Sequence, residues 1–167
     1  KDDRIHYYKN ETNIGAFDNF SKGFESVDTK YFCLLSDDDI LLPNFIQNSI
    51  NVFGENPDIG FVASRVLVVN EFGDMVGRRI NILKAKLYHP PEGMLEIIHK
   101  GAPTWTGICF NKSAADDVGF IDKAIGAPSD YEFEYRLAHN YKFSIIEDFG
   151  AIFIKHSGSF SSQEEDI

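Results

Sequence analysis

Three adjacent carboxylates, Asp37, Asp38 and Asp39, follow directly on a continuous apolar run from Tyr31 to Leu35. Side by side they repel one another, and a cation relieves that repulsion. Carboxylate oxygens suit Mg²⁺ or Mn²⁺, ions held by one or two carboxylates while substrate phosphates complete the shell. One reading is therefore a divalent ion that carries a diphosphate. The other is a solvated acidic turn ahead of a helix, where negative charge is favoured. A calcium loop of the EF-hand type does not fit, because its alternating spacing and glycine are absent.

A second acidic point lies far along the chain. Gly126-Ala127-Pro128-Ser129 leads into a helical pattern with Asp130 near its start. The helix dipole keeps such a carboxylate ionised, and beside a cleft it acts as a general base. The plainer alternative is a helix cap, with Arg136 nearby in a structural salt bridge. His156 follows an apolar run and precedes Ser157-Gly158-Ser159. It reads either as a surface histidine or as a metal ligand through neutral imidazole. Cys33 and Cys109 each sit in an apolar run and read as buried thiols, with a disulfide or a metal pair as the alternative.

These residues need a sheet and helices to hold them. The pattern predicts a short strand at Arg4–Tyr8 and a helix from Ala16 to Val27, with Phe17, Phe20 and Phe24 on one face. Tyr31–Leu35 reads as a central parallel strand buried on both faces. A helix runs from Pro43 to about Asn56, and a strand from Gly60 to Val69. Residues 70–88, broken by Gly73 and Gly77, read as a hairpin or an excursion from the sheet. A helix follows Pro90-Pro91 to about Lys100, and a short strand covers Ile108–Phe110. Ser113 reads as the N-cap of a helix through Val118. A helix from Ser129 or Asp130 to Asn140 precedes two strands, Tyr141–Ile146 and Ala151–Ile154. Alternating strands and helices give an α/β class with a mostly parallel sheet. In open sheets of this class ligands sit beyond the strands' carboxyl ends, where the aspartates fall.

The chain of 167 residues suits one domain, residues 1–156, with a polar tail at 157–167. Its 26 acids against 16 bases give a net charge of −10, which argues against nucleic acid as a partner. The one basic cluster, Arg78, Arg79, Lys84 and Lys86, is small and interrupted. An acidic protein that takes an anionic substrate needs a cation between the two. No apolar run reaches the length of a transmembrane segment, and no signal peptide is expected. The polar start at Lys1 reads as a cut within a longer chain.

In series these pieces resemble glycosyltransferase family 2, of the GT-A fold. The resemblance starts at Ile5-His6-Tyr7-Tyr8, Asn13-Ile14-Gly15 and Asn19. It peaks at Phe32-Cys33-Leu34-Leu35-Ser36-Asp37-Asp38-Asp39-Ile40-Leu41-Leu42-Pro43, like the family's apolar strand, Asp-x-Asp motif and helix-opening proline. It continues at Thr106-Gly107-Ile108-Cys109-Phe110, Val118-Gly119-Phe120-Ile121-Asp122 and Ser129-Asp130-Tyr131-Glu132-Phe133 with Arg136-Leu137. It closes at His156-Ser157-Gly158-Ser159-Phe160-Ser161. Two positions depart from the pattern. Ser36 stands where many members have the motif's first aspartate, and Ser129 replaces a frequent glutamate.

The resemblance implies a Rossmann-like GT-A sheet flanked by helices, here lacking its first strand or strands and the nucleotide-base loop. It implies that Asp38 ligates Mn²⁺ or Mg²⁺ on the donor diphosphate, with His156 assisting the metal. Asp37 would lie near the ribose or the metal, and Asp39 near the transferred sugar or the acceptor. Thr106 and Gly107 would line the sugar pocket, and Asp130 would be the catalytic base. The implied reaction is inverting transfer from a nucleoside-diphosphate sugar to a hydroxyl of a glycan or lipid-linked acceptor. By family habit it serves polysaccharide or cell-surface glycan synthesis, in the cytoplasm or peripheral to the inner face of a membrane. Two rivals are a non-catalytic carbohydrate-binding or scaffold fragment and a nucleotidyltransferase. The latter usually carries a glycine-rich basic phosphate loop near its start, which is not seen here.

Overall fold

The computed structural model describes residues 2–79, 83–126 and 128–158. Its helices are α1 (Ala16–Glu25), α2 (Phe45–Glu55), α3 (Glu92–Lys100), α4 (Lys112–Val118) and α5 (Ser129–Asn140). Its strands are β1 (Tyr31–Cys33), β2 (Ile40–Leu41), β3 (Ile59–Asn70), β4 (Met75–Arg79), β5 (Lys86–Tyr88), β6 (Ile108–Asn111) and β7 (Lys142–Lys155). A 3₁₀ turn, Trp105–Gly107, leads into β6.

The sheet runs β1-β6-β3-β7-β2, with β4 alongside β3 and β5 alongside β7. Helices flank it, so the expected α/β class holds. The sheet is mixed rather than mostly parallel. Among the described residues β3 and β7 pair in parallel, and the other pairings are antiparallel. The reading of Tyr31–Leu35 as a central parallel strand is corrected as well. β1 is three residues long, lies at the end of the order and pairs antiparallel with β6. An apolar run reports burial on both faces, not position or direction in the sheet. Side chains supply that burial here: Tyr31 stacks on Phe53 at 4.1 Å, while Phe32 packs on Phe24 at 5.5 Å and on Phe110 at 5.3 Å.

The true centre is β3, whose Ile59, Phe61, Val62 and Ala63 are fully buried. On one face Phe45 and Phe53 of α2 cover Ile59, Val62 and Cys109. On the other, Phe61, Ile108, Phe110 and Phe143 pack with Phe133 and Leu137 of α5 and Ile97 of α3. Each such side chain contributes about 1.5–3 kcal/mol by leaving water. Cys33 and Cys109 face each other across β1 and β6 as free thiols. Burial and the facing thiol both hold the Cys33 thiol far above its usual range, with the Cys109 contact the larger cause.

Several expected boundaries move. Residues 4–8 form no strand, because no described strand runs beside them, and Ile5, Tyr7 and Tyr8 stay exposed. Residues 70–79 do form a hairpin turn with β4 returning along β3. The Asn70 side chain builds it by accepting from the N–H groups of Phe72 at 3.0 Å and Asp74 at 2.9 Å. The cap of α4 is Asn111, which accepts from Ser113 N–H at 3.1 Å, so Ser113 is the capped residue rather than the cap. The two expected last strands are one, β7, which continues through the register shifts against β3. The tail from residue 159 onward lies outside the described residues.

Candidate active site

The acidic corner is built where β1 ends. Asp39 N–H donates to Ser36 C=O at 3.2 Å and closes a turn that holds the three aspartates. β2 then pairs with the far end of β7, Ile40 opposite Ile152. That pairing ties the turn to the chain segment that carries His156.

The three aspartates fare differently. Asp37 is exposed and Asp38 half-buried. Asp39 is 8% exposed, with both oxygens engaged. Its Oδ1 accepts from Ile154 N–H of β7 at 3.0 Å, and its Oδ2 accepts a short hydrogen bond from Thr106 Oγ1. One carboxylate thus joins the acidic turn, the 3₁₀ turn and β7. Asp38 Oδ2 lies 2.8 Å from His156 Nε2. Gly158 N–H donates to His156 Nδ1 at 3.1 Å, which puts the ring proton of a neutral imidazole on Nε2, facing Asp38. In this arrangement His156 donates to Asp38 and orients it.

The opposite wall is the start of α5. The turn before it closes through Ser129 N–H to Gly126 C=O at 3.0 Å. Asp130 is in the first helical turn, and its Oδ1 accepts from Tyr131 N–H at 2.8 Å. Arg136 holds the helix in place. It pairs with Glu132 at 2.5 Å and donates to the carbonyls of Val118, Gly119 and Phe120 at the end of α4.

Between the two walls lies a cavity of about 630 Å³, within the range of small-molecule sites. Asp37, Asp38, Asp39, Thr106, Asp130 and His156 all line it. The acids lie 91 to 93 residues apart in sequence, yet they share one space. Gly107 does not line it. A side chain there would meet Val66 Cγ2 at 2.6 Å and Ser64 Oγ at 2.8 Å, so Gly107 lets the 3₁₀ turn press against β3. Ser64 Oγ also donates to Gly107 C=O at 3.1 Å.

The donor set suits a divalent ion whose shell a phosphate completes. Among the described residues no three His, Cys, Asp or Glu side chains converge as a closed metal cage. Mg²⁺ and Mn²⁺ rarely use one, preferring one or two carboxylates and substrate oxygens. Asp38 fits that role, held at one oxygen by His156 with the cavity in front of it.

Two residues of the site escaped the sequence. Trp105 lines the cavity, and Glu134 stands fully buried behind it. Trp105 had a signal, since it adjoins Thr106. Glu134 had none, because a glutamate in a helix reads as a solvent residue until its surroundings are known.

Among the described residues no helix is long and apolar enough to cross a membrane. The chain is 28% identical over 150 residues to an uncharacterized glycosyltransferase of Methanocaldococcus jannaschii, covering 89% of this chain and 50% of that protein. It therefore spans about half the length of that curated relative. Its fold is that of S. aureus TarS. The TarS 1–349 structure in complex with UDP-GlcNAc superposes with a TM-score of 0.61 at 14% identity, over 84% of this chain and 39% of that one. A second TarS structure gives 0.58 at 13% identity, over 84% and 24%. The family described as glycosyl transferase family 2 matches residues 1–119. A match over that much of the chain, on a GT-A fold with the acidic turn and the α5 carboxylate on one cavity, makes this chain a member of glycosyl transferase family 2.

Proposed function

We propose that this chain carries the transfer site of a metal-dependent, inverting glycosyltransferase that uses a nucleoside-diphosphate sugar. The observation that carries the reading is that Asp38 and Asp130 line the same cavity from opposite walls. Family members generally use a divalent metal, and TarS was solved with UDP-GlcNAc, which supports that donor class. A Mn²⁺ or Mg²⁺ on Asp38 would supply positive charge for the departing diphosphate. His156 keeps Asp38 aimed, and Asp39 fixes the turn that presents it. Asp130 takes the proton from an acceptor hydroxyl as that oxygen attacks the anomeric carbon from the face opposite the diphosphate. The acceptor class we favour is a glycan or lipid-linked hydroxyl, in polysaccharide or surface-glycan synthesis at the cytoplasmic side of a membrane.

The test is Asp130→Asn in the complete enzyme. A positioned general base supplies about 10²–10⁴-fold in rate. The variant should lose transfer by at least that factor while binding nucleoside diphosphate with Mn²⁺ within about twofold of wild type. Turnover equal to wild type removes Asp130 from the mechanism.

A further inference from the structure

Buried polar atoms in folded proteins are almost always hydrogen-bonded, so exceptions call for an explanation. Among the described residues the buried side-chain atoms without a partner are Trp105 Nε1 and the two oxygens of Glu134. They belong to one local cluster. The Trp105 indole acts directly on the Glu134 carboxyl, though without a hydrogen bond of normal geometry. Trp105 is the wall of the cavity on that side. Its ring is caged by edge contacts to Phe20 at 6.2 Å, Phe110 at 6.0 Å and Phe133 at 6.0 Å, so Glu134 meets the one polar edge of an otherwise apolar plate.

Glu134 also stands four residues after Asp130 on α5, which sets both on one face of the helix. Helices α3 and α4 and strands β3 and β7 pack on α5. Among the charged groups they and α5 present, Asp130 alone acts on this carboxyl.

We propose that Glu134 is a positioning residue for the transfer reaction: a buried carboxyl that backs the Trp105 indole of the cavity wall and stands one helical turn from Asp130, acting on both through packing and charge rather than through a hydrogen bond. It touches no substrate, and this role rests on the reading of Asp130 as the base. Burial, and next the charge of Asp130, raise the Glu134 pKa well above the usual carboxyl range, while the indole N–H works the other way. That direction favours the protonated form of Glu134 over the charged one. Ionising it would place a second negative charge one turn from the base.

The chain has a single tryptophan, so its fluorescence reads this contact directly. Wild-type fluorescence should show a step on raising the pH through the Glu134 ionisation. Glu134→Gln should abolish the step, and Asp130→Asn should move it to lower pH by removing the neighbouring charge. In the transfer assay, Glu134→Leu should lower kcat at least tenfold with donor KM within about threefold. Glu134→Gln should recover at least tenfold of kcat over Glu134→Leu. The proposal is overturned if the fluorescence step persists unchanged in Glu134→Gln, or if Glu134→Leu, folded by circular dichroism, keeps kcat within twofold of wild type. Full turnover by Asp130→Asn, with its fluorescence step moved to lower pH as expected, would sink the base and the positioning role with it while leaving the Trp105–Glu134 contact standing, so the two failures are distinguishable.

Discussion

Asp39 and Glu134 are the two buried carboxyls among the described residues, one on each wall of the cavity. Asp39 retains 8% of its exposure and receives two donors, one from the backbone of β7 and one from Thr106. Glu134 retains none and receives no hydrogen bond. The same functional group thus serves opposite purposes. Where donors converge, an acceptor-only carboxylate knits three chain segments together. Where they do not, burial pushes the group toward its protonated form. Burial alone predicts neither outcome; the count of donors does.

That contrast can be broken from the Asp39 side first. Asp39→Ala leaves the Ile154 N–H and the Thr106 hydroxyl in a buried space without an acceptor. At about 1–3 kcal/mol for each orphaned group, the loss should be about 3 kcal/mol in urea unfolding. A loss under about 1 kcal/mol would mean that Asp39 is not the pin described here.

The Glu134 side is sharpened by pH. Its folded pKa lies above the unfolded value of 4.5, so the folded chain binds the extra proton between the two. Its contribution to stability is complete below 4.5 and declines as pH rises, until the folded carboxyl itself ionises. The steepest decline one such group can give is about 1.4 kcal/mol per pH unit. Wild type minus Glu134→Gln should show a declining difference on moving from pH 5 to pH 8. A flat difference would place the folded pKa near the unfolded one and erase the contrast.

The smallest effect belongs to Thr106→Val, which keeps shape and deletes the side-chain donor to Asp39 Oδ2. A single hydrogen bond to a charged group contributes about 1.5–3 kcal/mol, and water entering from the cavity offsets part of that. About 1 kcal/mol in the same urea assay is expected. A loss equal to that of Asp39→Ala would instead assign the whole pin to Thr106.

Much of the fold was legible because local rules held. The Phe17, Phe20 and Phe24 spacing marked α1, Pro57 stopped α2, and Gly119 ended α4. The acidic turn was legible because an apolar run breaks off at Leu35 into four polar residues, Ser36 to Asp39. The direction of β1 was not, because an antiparallel edge strand capped by aromatic rings shows the same residues as a central parallel one. Gly107, expected beside the sugar pocket, packs against β3 instead. The family resemblance implied that place for it, and here its missing side chain leaves room for Ser64 and Val66.

By itself the sequence determined which residue types were on hand and the elements that bear them. It carried the aspartate turn, the helix that begins at Ser129 and the histidine after the last strand. Tertiary structure alone decided which carboxyl meets donors and which meets only an indole, because that depends on groups brought from up to 115 residues away. A local pattern cannot encode who stands across a cavity, and the protonation of a buried acid is set by those neighbours.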